Sequence, residues 1–210
     1  IGPTDIDSSN WNNTASIGGG NDNTGTFAAG TVIDDAGSTV AGVSVDWAAG
    51  GTWYGGGGTA SDEAKLFAGY LDDNNGVGAA PAASFDVNGL GAFGTYDLYI
   101  LSAGDAGNGG GGTATFTTAA FTVNGVTGVD TMGIGYNGLN WVESTTTVAG
   151  NYVKFSGLTG DLTVVGQVGT GGIPRSVING FVIVAVPEPS SFALLAGLSG
   201  LALVMIRRRK

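Results

Sequence analysis

The stretch Thr39-Val40-Ala41-Gly42-Val43-Ser44-Val45-Asp46-Trp47 sets apolar side chains at positions 43, 45 and 47, with Ser44 and Asp46 between them. A period of two puts the three apolar residues on one face of an extended strand and turns the polar pair to the other. Val153 and Phe155 repeat the signature. Further β-favourable runs occupy Tyr96 to Ser102, Thr113 to Val123, Tyr152 to Phe155, Leu162 to Val168 and Val177 to Val186. Within the last, Phe181-Val182-Ile183-Val184-Ala185-Val186 is apolar on both faces and reads as a central or covered strand.

Glycine, asparagine and aspartate punctuate these runs. Asn-Gly pairs begin at Asn88, Asn124, Asn137 and Asn179, and such pairs favour the positive φ angles of tight hairpin turns. Glycine makes up 41 of 210 residues, which argues against a helical protein, since each helix-interior glycine costs about 1 kcal/mol relative to alanine. Short strands at this spacing predict an all-β sandwich. One exception is Ser61 to Leu71, read as a short helix or turn, where Ala64, Phe67 and Leu71 fall at helical spacing behind Ser61 and Asp62 as caps. The words Phe85-Asp-Val-Asn-Gly-Leu and Phe121-Thr-Val-Asn-Gly-Val echo each other, as two similar hairpins would.

The chain has no histidine and no cysteine. That excludes Ser-His-Asp and Cys-His catalysis, the usual structural zinc sites and a disulfide scaffold. Up to Val186 three basic residues face sixteen acidic ones, a net charge of −13. A surface so acidic repels phosphate backbones and excludes a nucleic-acid partner bound through a basic patch. The remaining basic residues are the last four, Arg207, Arg208, Arg209 and Lys210.

Those four end a tail of three parts. Pro187 and Pro189 stop any strand before them and present Glu188 on an extended linker, residues 187–191. Phe192 to Ile206 follows without a charge; Phe192, Leu194, Leu195, Leu198, Leu201, Leu203 and Ile206 supply the bulk of this apolar helix. Fifteen residues reach about 22 Å as a helix, short of a ~30 Å hydrocarbon core. Adding Ser190 and Ser191 and letting the arginines snorkel brings the segment to the lower limit for a span. The basic stop places the C-terminus on the cytoplasmic side. The alternative is a buried C-terminal core helix whose arginines solvate its end. The division expected is thus a β-sandwich body over 1–186, the linker, and a hydrophobic helix with a basic end over 192–210.

Val186-Pro187-Glu188-Pro189-Ser190, the apolar run and the arginine cluster closely resemble the PEP-CTERM protein-sorting signal of Gram-negative bacteria that make extracellular polysaccharide. The resemblance implies export through the inner membrane, transient retention there, and processing near Pro187-Glu188-Pro189 by an exosortase. The body would reach the cell surface or matrix, and an N-terminal signal peptide is expected. The body is similar to uncharacterised PEP-CTERM surface proteins in Trp11-Asn-Asn-Thr14, Thr52-Trp53, Lys65 to Asp73, Tyr96 to Ile100, Asn151 to Leu158 and Ile178 to Val184. Those domains look like galactose-binding-type jelly rolls, a fold frequent among carbohydrate-binding modules. The fold class expected is therefore a jelly-roll-like β-sandwich with one C-terminal hydrophobic α-helix.

Candidate chemistry is sparse. Asp72, Asp73, Asn74 and Asn75 put four oxygen-bearing side chains into one loop, part of the roughly six to eight oxygens that calcium takes. Asp5, Asp7, Ser8 and Asn10 form a second such cluster and Asp34-Asp35 a third, although none has the order of an EF-hand. Solvated turns are the competing reading. Trp53 and Tyr54, before Gly55 to Gly58, together with Tyr99, are candidates for stacking a sugar ring, with burial in the core as the alternative. Trp47 and Trp141 read as core. Neither glycine tract, 55–58 or 109–112, carries the Gly-Lys-Ser/Thr of a phosphate loop. Glycosidase-type catalysis would need Glu63 or Glu143 facing an aspartate, and a Ser-Lys pair would need Lys65 or Lys154.

Two functions are consistent with these features. One is a non-enzymatic, exported structural protein of the cell surface, extracellular matrix or biofilm, whose copies assemble into filaments through the retained helix; Ala193, Ala196, Gly197, Gly200 and Ala202 permit close helix approach. The other is a carbohydrate-binding module attached to exopolysaccharide. Calcium is the one candidate cofactor, and the competing reading of its loops requires none.

Overall fold

The alternation at 43–47 leads into the longest strand of the structure. In the computed structural model, residues 9–13, 21–54, 62–72, 82–102, 119–130, 141–145, 148, 150–167 and 177–187 are described. Strand β2 runs Ser44–Tyr54, with Val45, Trp47 and Ala49 buried and Asp46 exposed. Strand β1, Asn21–Phe27, lies antiparallel along it and sets Gly25 opposite Trp47. The indole occupies the space a side chain at 25 would need, since a Cβ there would stand 2.2 Å from Trp47 Cζ2. On its other edge β2 pairs first with β4, Ser84–Asn88, and from Gly51 onward with β3, Gly69–Asp72. The change of neighbour falls at Gly50-Gly51, where the absence of side chains lets the strand bend.

The remaining strands are β5, Thr95–Leu101; β6, Ala119–Val123; β7, Val126–Asp130; β8, Tyr152–Thr159; β9, Leu162–Gln167; and β10, Gly180–Ala185. Seven of the ten described strands make one antiparallel sheet in the order β1-β2-β4-β9-β6-β7, with β3 joined to β2, and three make a second in the order β10-β5-β8. The inner faces meet in one core. Trp47, Phe85, Val87, Phe121 and Val164 of the large sheet pack on Tyr96, Leu98, Ile100 and Val153 of the small one. Phe85 and Phe181 stack across the layers with centroids 4.1 Å apart and planes 6° from parallel.

A second, smaller apolar cluster covers the outer face of the small sheet. Helix α1, Asp62–Ala68, lays Phe67 on Leu101 of β5, and Trp11, Leu66, Trp141 and Tyr152 close around them. Trp47 is thus a core residue as expected, while Trp141 packs on Phe67 at 5.2 Å in this outer cluster.

Four local expectations need correction. Among the described residues Phe181–Ala185 pairs with β5 alone, so of the two readings, central or covered, the central one does not hold. Phe181 and Ile183 pack against the core, while Val182 and Val184, half-buried, alternate to the other face. Of the Asn-Gly pairs only Asn124-Gly125, with φ of 48° and 81°, turns a hairpin among the described residues. Gly89 instead opens a short 3-10 turn over Leu90–Phe93, and Asn179 enters β10, its amide donating to Phe67 O and Gly69 O. The echo of Phe85 and Phe121 therefore spans one hairpin only. The helix ends at Ala68, not Leu71, because the Leu71 N–H and C=O bond to Ile178. Residues 113–118 and the Asn137-Gly138 pair lie outside the described residues.

Asp161 holds one end of the body together. Its Oδ1 accepts the N–H groups of Gly89 and Leu90, its carbonyl accepts the Asn124 amide, and Tyr96 donates to the neighbouring Gly160 carbonyl. Asp161→Ala removes the cap from two backbone N–H groups and should cost about 1 kcal/mol in a denaturant titration. Gly89→Ala should cost at least about 2 kcal/mol, because it forces a side chain into a positive φ. There its Cβ would meet Gly42 O at 2.1 Å.

Candidate functional site

The sorting segment begins where the sheet stops. Val186 N–H donates to Thr95 O at 2.8 Å, and Pro187, exposed, comes at once after it. Proline has no N–H to continue the ladder. The described body therefore ends one residue before Glu188; Glu188, Pro189, the helix residues Phe192 to Ile206 and the basic stop Arg207 to Lys210 lie outside the described residues. Among the described residues no helix is long and apolar enough to cross a membrane.

Beside β10 runs a groove of about 890 Å³. Phe27, Val40, Phe85 and Phe93 line it from the large-sheet side, Val182 and Val184 from the outer face of β10, and Asn10, Asn12, Asp34 and Asp35 at its mouth. The mouth is tied by asparagines acting as surrogate backbone. Asn12 donates to Ile33 O at 2.8 Å and accepts from Ile33 N at 2.9 Å, and Asn10 donates to Asp35 O at 2.7 Å. Asp35 in turn accepts the backbone N–H groups of Ser9 and Asn10, which hold its carboxyl below the ordinary value. Asp34 caps its own turn by accepting from Ser38 N at 2.8 Å. Alternate asparagines flanking Trp11 are the sequence signal for this strap. No hydrophobic pattern marks it, because the interactions are between side-chain amides and backbone.

Asp72 is buried at the end of β3, while Asp73, Asn75, Asp5 and Asp7 lie outside the described residues. Asn10 and Asp35, from two of the oxygen clusters, do meet, but with Asn10 as donor and Asp35 as acceptor. Among the described residues no three acidic side chains converge as a metal site would need. Trp53 and Tyr54 end β2, paired through the backbone with Tyr70 and Gly69; their side chains are outside the described set. Tyr99 is 3% exposed and leaves no ring face for a sugar. Lys154 Nζ stands 4.9 Å from its ring centre and Tyr152 packs on it at 5.9 Å. Glu143 is exposed and bridges to Tyr152 through the backbone.

Lys65 pairs on the surface with Asp62 at 2.6 Å. Lys154 is better enclosed, 3.1 Å from Asp97, and hydrogen bonds to Tyr99 and then Asp97 raise its pKa well above the ordinary lysine value. It is held protonated, the opposite of what a nucleophilic or basic lysine needs. For Asp97, burial acts upward, but the Gly157 N–H, Lys154 and Ser156 together outweigh it and keep the carboxyl below the ordinary 3.8.

A depressed carboxyl pKa stabilises the fold fully above the unfolded value, and that stabilisation is lost as pH falls through the folded value. Denaturant titrations at pH 6 and pH 3 should therefore show a smaller acid-induced loss for Asp97→Asn than for the unmodified chain. Equal losses would show that Asp97 contributes nothing to the acid limb.

Comparison with known proteins bears on the tail alone. Residues 185–210 match the family described as the PEP-CTERM protein-sorting motif, and no curated protein or solved structure matches the chain. The motif marks an exported protein, processed by exosortase and sorted to the cell surface or extracellular space.

Proposed function

We propose that this chain is a non-enzymatic structural protein of the cell surface or extracellular matrix, presented at the membrane by its tail before processing at Pro187-Glu188-Pro189. The observation that carries the reading is the junction. The matched sorting motif opens at Ala185, the last residue of β10, and takes in Val186, which makes the ladder bond to Thr95, so cleavage near Pro187-Glu188-Pro189 would release the β-body with its described strands intact.

The use of the carboxylates supports a building role. Asp34, Asp35, Asp97 and Asp161 are each occupied in accepting backbone N–H groups, with Lys154 added at Asp97. These side chains hold turns and edges; none of the four stands free in a cleft as a general acid or base would. Where the tail is retained, its apolar run must be covered by lipid or by protein, and assembly of copies through helices at 192–206 is the filament-forming extension of this reading.

The test is cell fractionation with intact mass measurement of the released protein. The unmodified chain should appear outside the cell cut near residue 188. Glu188→Ala should remain in the membrane fraction at full length, and release of both forms in equal amount would refute the assignment.

A further inference from the structure

The groove beside β10 has a shape that the display role does not use. Strand β10 bonds β5 through register pairs from Gly180↔Leu101 to Ala185↔Tyr96. Backbone groups alternate sides in an antiparallel strand. Since Val186 N–H faces Thr95, those of Val182 and Val184 face β5, and those of Phe181, Ile183 and Ala185 point into the groove. No described residue pairs with them. The side chains at 181–184 are all half-buried, and the groove wraps both faces of the strand, touching Phe181 and Ile183 on the core side and Val182 and Val184 on the other. A space continuous around a strand edge is what one further extended segment would fill, alternate side chains going to either face. From Ile178 to Val186 the edge carries no charge and no proline, the devices that usually keep such an edge from pairing.

We propose that this slot receives the chain's own residues Phe192–Leu198, which dock as an added antiparallel strand when no bilayer is available and leave it when one is. Three observations select this occupant. Pro187–Ser191 is a five-residue connection starting at the end of β10, a length at which a hairpin closes. Phe192–Leu198 carries no charge, as an apolar slot requires, and seven residues extend about 23 Å, enough to cover the six residues of β10. The tail ends in four cations while the body carries −13, so the body attracts its own tail and repels a second acidic body. Docking would also shield the β10 edge before membrane delivery. The inference rests on the tail being present at this stage, as the proposed display role requires. Fractionation tests that role separately, so normal sorting with no docking would sink the slot alone.

The chain contains no cysteine, so an introduced pair is unambiguous. In full-length protein kept in aqueous buffer, Ile183→Cys with Leu195→Cys should form an intramolecular disulfide, while Thr127→Cys with Leu195→Cys, on the far β6–β7 hairpin, should not. Adding phosphatidylglycerol vesicles should abolish the crosslink. Equal crosslinking of the two pairs, exclusively intermolecular dimers, or an unchanged yield with vesicles would each overturn the proposal. Hydrogen exchange on the unmodified chain avoids any folding defect of the variants. The amides of Phe181, Ile183 and Ala185 should exchange at least about tenfold faster once vesicles take the tail. Unchanged exchange, or protection that rises with protein concentration, would point away from the tail.

Discussion

The stack of Phe85 on Phe181 is the contact on which the sandwich turns. It joins β4, in the middle of the large sheet, to β10, which among the described residues has a hydrogen-bonded neighbour on one side only. A sheet edge holding half its ladder bonds depends on its side chains for position. At 4.1 Å and nearly parallel planes, the two rings fix β10 against the core. They also fix the point from which the sorting segment leaves.

Around that contact the body is organised as a seven-stranded sheet facing a three-stranded one. The inequality has a physical consequence: the small sheet cannot cover the whole inner face of the large one, and the uncovered part beside β10 is the groove. Helix α1, Trp11 and the asparagine strap at Asn10 and Asn12 close its surroundings, through apolar contact on one side and side-chain amides on the other. The carboxylates of an acidic body are spent in the same way. Asp161 gathers three loops at one end, and Asp97 fastens the β5–β8 edge with Lys154, one of only three cations before the tail.

Much of this was legible from residues alone. The alternation of Val43, Val45 and Trp47 gave the inward face of β2 because a period of two in a strand has only one geometric meaning. Strand β1 left no such mark, since Asn21-Asp-Asn-Thr-Gly-Thr is polar and forms because β2 offers it an edge and Trp47 needs a glycine opposite. Tyr99 stood open between a sugar contact and the core because sequence does not say which face of a sheet is covered twice. Asn179-Gly180 carried a hairpin signature, but the two carbonyls of α1 and β3 capture the Asn179 amide and draw the pair into a strand entrance.

The sequence by itself determined that the chain is β-rich, acidic in its body, incapable of histidine or cysteine chemistry, and addressed for export by Pro187-Glu188-Pro189 with its apolar run and basic end. These properties reside in composition, periodicity and local order, which survive without folding. Only the tertiary structure decided that, among the described residues, the strand feeding the sorting motif is an edge whose outward backbone groups open on an apolar slot, and that Asn10 binds Asp35. Each depends on residues far apart in the chain being brought together, and strand pairing at long range is chosen by the packing of the whole core.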